Sequence, residues 1–114
     1  EIALRKLLEA ALTRKGYTVT LAGNGLEAID LIGDLTLAFD AVLLDLNLPG
    51  ATGFEVFKVI KAARPGLPIL VLSGHLTPGT RAEFAQAGQT DFVQKPYALD
   101  ELGRRLRGLL DNVR

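Results

Sequence analysis

The chain has 114 residues, a length that favours one domain with a single hydrophobic core. Thirteen basic residues balance 13 acidic ones, so the zero net charge gives no electrostatic reason to expect binding to nucleic acid or to an anionic membrane surface. The absence of cysteine excludes disulfides and thiolate chemistry, and no apolar stretch approaches the roughly 20 residues of a membrane span.

The first half of the chain predicts two helices and two strands. Leucine and alanine repeat at three-and-four spacing over residues 2–15, which predicts an amphipathic helix that is stopped by Gly16. Tyr17 to Leu21 alternates with β-branched threonine and valine and is predicted to be a strand. A second helix is predicted from Gly25 to Ile32. Ala41 to Leu44 is continuously apolar and short enough for a strand that is buried on both faces.

The second half continues the alternation of helices and strands. A helix is predicted from Gly53 to Ala63 and a strand from Ile69 to Leu72. The next helix is expected to begin near Thr77 and Pro78, because a capping hydroxyl there precedes proline at a first-turn position. Asp91 to Gln94 is predicted as a strand, and a leucine stripe from Leu99 onward predicts a final helix. This order favours a mostly parallel sheet with helices on both faces.

Three of the predicted strands each run into a different reactive polar residue. Asp45, Ser73 and Lys95 follow the strands that begin at residues 41, 69 and 91. If these strands are parallel neighbours, their carboxyl ends lie at one edge of the sheet, where open α/β sheets bind their ligands. A carboxylate, a hydroxyl and an ammonium group would then converge. Such a trio can accept a phosphoryl group.

Four segments together resemble the signatures of two-component response-regulator receiver domains. These segments are AGNGLEAI at 22–29, LLDLNLPGATGFEV at 43–56, LSGH at 72–75 and DFVQKP at 91–96. The resemblance covers essentially the whole chain, and the order and spacing of the separate motifs make it specific. It implies a single receiver domain over residues 1–114 with a flavodoxin-like doubly wound sheet, whose strand order is 2-1-3-4-5.

The resemblance also implies a role for five residues. Asp45 would be the phosphoacceptor, and the backbone carbonyl of Asn47 would help to bind Mg²⁺. Lys95 matches the family's lysine, and Ser73 matches its switch serine or threonine. Phe92 takes the place of its switch aromatic residue. A histidine kinase or a phosphotransfer domain would donate the phosphoryl group, and the chain would be an acceptor domain rather than a stand-alone enzyme.

Signal output in this family uses the face formed by the fourth helix, the fifth strand and the fifth helix. The resemblance therefore predicts that this face changes for a downstream effector domain or protein, in the cytoplasm and without membrane insertion or direct contact with nucleic acid. The parent is expected to be a free-standing regulator, a transcription factor or a hybrid histidine kinase. The segments 73–75 and 96–102 faintly resemble the last of these.

One departure from the family concerns the beginning of the chain. Receiver domains start with a strand that ends in two adjacent acidic residues, which hold Mg²⁺. Alignment on Leu8 and Gly16 places the second of these acids immediately before Glu1, so that neither the strand nor the pair is in this sequence. We expect both of them to precede Glu1 in the parent protein, because this strand lies in the middle of the family's sheet.

Three alternative functions can be compared with the sequence. Gly23, Gly25 and Ala28 satisfy the G-x-G-x-x-A pattern of a dinucleotide-binding module, and Asp45 lies about where a ribose-binding acid belongs. That hypothesis leaves Ser73 and Lys95 without a role. An aspartyl phosphatase would need a D-x-D motif on its first strand, whereas Asp45 is mid-chain. A degenerate receiver that binds its partners without phosphorylation remains open.

Overall fold

A computed structural model describes residues 2–46, 53–74, 78–86, 90–95 and 98–111 of the chain. The predictions that concern Glu1, Asn47 and Thr77 lie outside the described residues. The described residues form five helices and three strands. In chain order they are α1 (Ile2–Arg14), α2 (Gly25–Gly33), β1 (Val42–Asp45), α3 (Gly53–Ala63), β2 (Ile69–Ser73), α4 (Pro78–Ala85), β3 (Thr90–Gln94) and α5 (Leu99–Asp111).

The three strands form one parallel sheet in the order β1-β2-β3. Asp45 lies opposite Leu72 in the register, and Leu72 lies opposite Val93. The central strand β2 is therefore hydrogen-bonded on both sides, and all five of its residues are buried. This order matches the last three positions of the predicted order 2-1-3-4-5, and no described pair tests the first two positions.

Successive residues of β2 enter two different hydrophobic cores. Ile69 and Val71 belong to a core that they share with buried residues of α2, α3 and α4. Leu70 and Leu72 belong to a second core, which contains leucines of α1 and α5. Because side chains alternate along a strand, this division places the helices on opposite faces of the sheet. The predicted α/β architecture is confirmed.

The prediction of a strand from Tyr17 to Leu21 is wrong, because this segment is not a strand in the structure. Its alternation does place Tyr17 and Val19 against the second core, whereas Leu21 is 38% exposed. A strand also needs a backbone partner, because each of its amide and carbonyl groups bonds across a ladder. The resemblance puts the family's first strand between this segment and β1, and none of the described residues occupies that position.

The turn before α2 explains the dinucleotide-like pattern in the sequence. Asn24 caps the helix, and its side-chain oxygen accepts a hydrogen bond from the Glu27 amide at 2.9 Å. The Glu27 carboxylate in turn accepts a hydrogen bond from the Gly23 amide at 3.3 Å. This arrangement resembles a capping box, except that Glu27 accepts from the residue before the N-cap, and in it the chain's own side chains use the donors of the helix start. Gly23, Gly25 and Ala28 thus belong to a turn and a helix start.

Arg64, just after α3, holds the end of α2 at the amino edge of the sheet. Its guanidinium group donates hydrogen bonds to the carbonyl of Ile32 at 3.1 and 3.3 Å and to the carbonyl of Asp34 at 3.0 Å. The same group lies 5.2 Å from the ring centre of Phe39. Carbonyls at the end of a helix lack partners within the helix, so the side chain of Arg64 supplies these donors from elsewhere in the fold.

Two more charged groups lie near this edge. The ammonium group of Lys61 donates to the carbonyl of Leu67 at 3.3 Å, and partial burial lowers its pKa. Hydrogen bonds from the hydroxyl and the backbone amide of Thr36 lower the pKa of the Asp34 carboxyl group. The hydrogen bonds of these two groups stabilise turns. None of the helices in the described part of the chain is long and apolar enough to cross a bilayer.

Candidate functional site at the carboxyl edge of the sheet

An ion pair joins the two outer strands of the sheet across the end of the central one. The Lys95 ammonium group lies 2.7 Å from a carboxylate oxygen (Oδ2) of Asp45. Neighbouring strands are about 4.8 Å apart, so the long stem of lysine, the ion-pair contact and the shorter aspartate side chain together bridge the roughly 10 Å between the two outer strands. The side chains are 21% and 31% exposed, respectively, so solvent and a small anion can reach them.

Ser73 ends β2 between the two charged residues. It is buried, with 5% of its surface exposed. Its carbonyl accepts a hydrogen bond from the Lys95 amide at 2.7 Å, and the carbonyl of Leu72 accepts one from the Leu46 amide at 3.0 Å. The backbone therefore fixes all three strand ends relative to one another. The structure brings Asp45 and Lys95 into contact and places Ser73 at the same end of the sheet.

The start of α3 presses directly on the residue that follows Asp45. A Cβ atom at Gly53 would lie 2.7 Å from the Cα atom of Leu46 and 3.1 Å from its carbonyl oxygen. Distances this short to backbone atoms cannot be relieved by a change of rotamer. Gly53 is required here for its small size, because it lets the helix approach the end of β1 closely.

Phe92 lies in the first core, within a group of aromatic side chains. Its ring is 9% exposed, and its centre is 6.1 Å from that of Phe84 on α4. Phe84 also packs edge-on against Phe57, with ring centres 4.6 Å apart. The guanidinium group of Arg81 lies 5.2 Å from the centre of the Phe92 ring. Arg81 was not among the site residues predicted from the sequence, because its contact with the ring depends on how α4 packs against β3.

The described residues fit a Mg²⁺ site only in part. Asp45 offers one carboxylate at this edge, and no group of three or more histidine, cysteine or acidic side chains occurs among the described residues. Mg²⁺ is bound through one or two carboxylates, together with phosphate and water oxygens in octahedral geometry. Asn47 lies outside the described residues, and the acidic pair implied by the resemblance lies outside the sequence. One carboxylate does not by itself make the site.

Comparison with known proteins identifies a family whose model matches almost the whole chain. The model of the response regulator receiver domain matches residues 1–107. The response regulator MprA of Mycobacterium sp. (strain KMS) is 41% identical over 108 residues, which cover 95% of this chain and 46% of that protein. MprA of Mycobacterium bovis (strain BCG / Pasteur 1173P2) is 39% identical over the same shares of both chains. The chain thus spans about half the length of these curated relatives.

Solved structures agree in fold. The receiver domain of the sensor histidine kinase PA1611 from Pseudomonas aeruginosa PAO1 has a TM-score of 0.82 and is 31% identical, covering 97% of this chain and 91% of that one. That structure holds a magnesium ion in its active site cleft. A CheY-like receiver domain from Methanospirillum hungatei JF-1 has a TM-score of 0.90 at 23% identity, covering 99% and 89% of the two chains, and shows the fold alone.

Proposed function

This chain belongs to the response regulator receiver domain family, whose members accept phosphoryl groups in two-component signalling, and we propose that Asp45 is its phosphoacceptor. The observation that carries this proposal is the contact between Asp45 and Lys95 across the end of β2. The other ion pairs given for the described residues join arginines of α5 to Asp91, Glu101 and Asp111.

The proposed chemistry needs a nucleophile and a way to offset charge repulsion. A carboxylate oxygen of Asp45 attacks the phosphorus atom, the bond from phosphorus to the leaving group breaks, and an acyl phosphate forms. Both reactants are anions, so the reaction requires neutralisation and positioning more than acid–base chemistry. The ammonium group of Lys95 supplies a positive charge, and a small movement of its flexible stem can bring it from the carboxylate to a phosphoryl oxygen.

Ser73 and Phe92 are proposed to convert phosphorylation into a change of surface. The hydroxyl of Ser73 would donate a hydrogen bond to a phosphoryl oxygen and draw the loop after β2 inward. Phe92, on the neighbouring strand, would respond to that movement by rotating inward. The face formed by α4, β3 and α5 would then differ between the two states, as a two-state switch requires.

Mg²⁺ is proposed as the cofactor because family members bind it, including the PA1611 receiver domain. The metal would offset charge between the acceptor and the phosphoryl group. Its remaining protein ligands would be the carbonyl of Asn47 and the acidic pair that the resemblance places before Glu1. The alternative candidate is a degenerate receiver that binds its partners without phosphorylation, which would need no metal.

The proposed partners follow from the family. A histidine kinase or phosphotransfer domain would donate the phosphoryl group in the cytoplasm, and an effector domain or protein would read the α4–β3–α5 face. The MprA relatives are about twice as long as this chain, so the output of the whole protein is not specified by the matched region.

Labelling with acetyl phosphate and Mg²⁺ tests the proposal. We expect covalent phosphate on the wild-type full-length protein, which includes the residues before Glu1, detected as a mass increase that hydroxylamine removes, and none on its Asp45→Asn variant. The matched control is Asp40→Asn, which changes an exposed aspartate near the opposite end of β1 and should be labelled like the wild type. If labelling fails in the wild type, or persists in Asp45→Asn, Asp45 is not the acceptor, and the phosphorylation-independent candidate gains support.

A further inference from the structure

Two side chains of one helix, α4, contact the ring of Phe92. Phe84 and Arg81 are three residues apart on α4, so that they share one face of the helix. Phe84 meets the ring from inside the core, where it is itself 1% exposed. Arg81 is exposed, and its guanidinium group lies 5.2 Å from the ring centre. The ring thus contacts both a buried apolar neighbour and an exposed cation of the same helix.

We infer that Arg81 is a positioning residue for Phe92, which its cation–π contact holds in the buried position before any phosphate arrives. This inference rests on the proposed role of Phe92 as the switch aromatic. Phenylalanine has no hydroxyl group that could favour either position through a hydrogen bond. The balance between a buried and an exposed ring therefore depends on packing and on the attraction between the guanidinium group and the ring face.

The position of α4 in the chain connects Arg81 to the proposed phosphorylation site. This helix is the next described element after Ser73, whose loop is proposed to move. A displacement of that loop would move α4, and Arg81 and Phe84 would move with it relative to β3. Exposed cation–π contacts contribute modestly, so we expect Arg81 to change the ratio of buried to exposed rings by about two- to fivefold.

A fluorine label on Phe92 tests the inference without any phosphorylation. Phe92 is replaced by 4-fluorophenylalanine, and the shift of its fluorine resonance between H₂O and D₂O reports how far the ring is exposed to solvent. We expect Arg81→Gln to raise this exposure by two- to fivefold in population ratio. Arg81→Lys keeps a cation over the ring and should remain close to the wild type.

Lys58→Gln is the matched control for a loss of charge beside the same aromatic group. The Lys58 ammonium group lies 5.0 Å from the ring centre of Phe54, which packs against Phe84 and not against Phe92. This variant should leave the label on Phe92 unchanged. The inference is overturned if Arg81→Gln leaves the exposure unchanged, or if Lys58→Gln raises it equally.

Acetyl phosphate labelling of the same samples separates this inference from the proposed function. Absence of phosphate on Asp45 would refute the proposed acceptor, while the unphosphorylated samples would still decide whether Arg81 holds the ring. If both hold, Arg81→Gln should also enlarge the change in fluorine shift that phosphorylation produces, because the ring turns inward from a more exposed starting population.

Discussion

Cations at the two edges of the sheet are held in different ways. At the carboxyl edge, Lys95 makes an ion pair with the carboxylate of Asp45, and both side chains remain partly exposed. At the amino edge, Arg64 donates to two backbone carbonyls and also lies over a phenyl ring. An ammonium group on a flexible stem can exchange one oxygen for another, whereas a guanidinium group with several fixed acceptors cannot do so cheaply. The first arrangement suits a reaction, and the second suits a scaffold.

Removing the cation at the carboxyl edge should have the largest effect on chemistry. We expect Lys95→Gln to slow acetyl phosphate labelling by about 100-fold or more, the size of effect typical of losing one group that stabilises developing charge. Its free energy of unfolding should fall by no more than about 1 kcal/mol, because the pair is partly exposed. A quench-flow time course and urea unfolding measure the two quantities. Normal labelling in this variant would remove Lys95 from the proposed site.

Removing the cation at the amino edge should have the opposite profile. Arg64→Ala leaves the carbonyls of Ile32 and Asp34 without these donors, so we expect unfolding in urea to be easier by about 1–3 kcal/mol. Labelling of the folded protein should be unchanged. Arg64→Lys should recover only part of the loss, since an ammonium group cannot reproduce the geometry. If Arg64→Ala instead slowed labelling as strongly as Lys95→Gln, the contrast between the two edges would be lost.

The smallest expected effect is the dependence of stability on pH at Lys61. Partial burial lowers the pKa of this group below its ordinary value of 10.5. Between the lowered pKa and 10.5 the unfolded chain holds a proton that the folded chain has released, so the free energy of unfolding rises with pH in that window. Below the lowered pKa, Lys61 is charged in both states, and the cost of burying its charge reduces the free energy of unfolding in full. Because Lys61 is partly exposed, solvent screening should keep this cost of burying its charge under about 1 kcal/mol.

Unfolding of Lys61→Met alongside the wild type, from neutral pH toward 10.5, measures this effect. The wild type should gain stability relative to the variant as the pH rises. A difference that stays constant with pH would show that the group titrates alike in the folded and unfolded chains.

Local patterns in the sequence predicted most of the fold. The helix α3 begins at Gly53 and ends at Ala63, as its apolar spacing and the following proline indicate. Strand β2 extends one residue beyond the prediction, to Ser73. The proximity of Asp45 and Lys95 could also be predicted, because parallel strands place their carboxyl ends at the same edge of the sheet.

Features that depend on distant partners could not be predicted in this way. Tyr17 to Leu21 has the composition of a strand, but a ladder also needs a neighbouring strand. Arg64 reaches carbonyls about 30 residues earlier in the chain, and Arg81 reaches a ring on the strand that follows its own helix. Such contacts follow from the packing of helices on the sheet, which the spacing of residues along one element does not specify.

The bond between Asp45 and Lys95 also implies that the resting protein shields its own nucleophile. One carboxylate oxygen is already occupied, so an incoming anion has to compete with an internal counter-ion that is always present at high effective concentration. A phosphate donor that succeeds takes over this lysine with its own oxygens, so the cation that occupies the carboxylate at rest is the one that the transferred group then needs. The strength of this protection should decline as ionic strength rises.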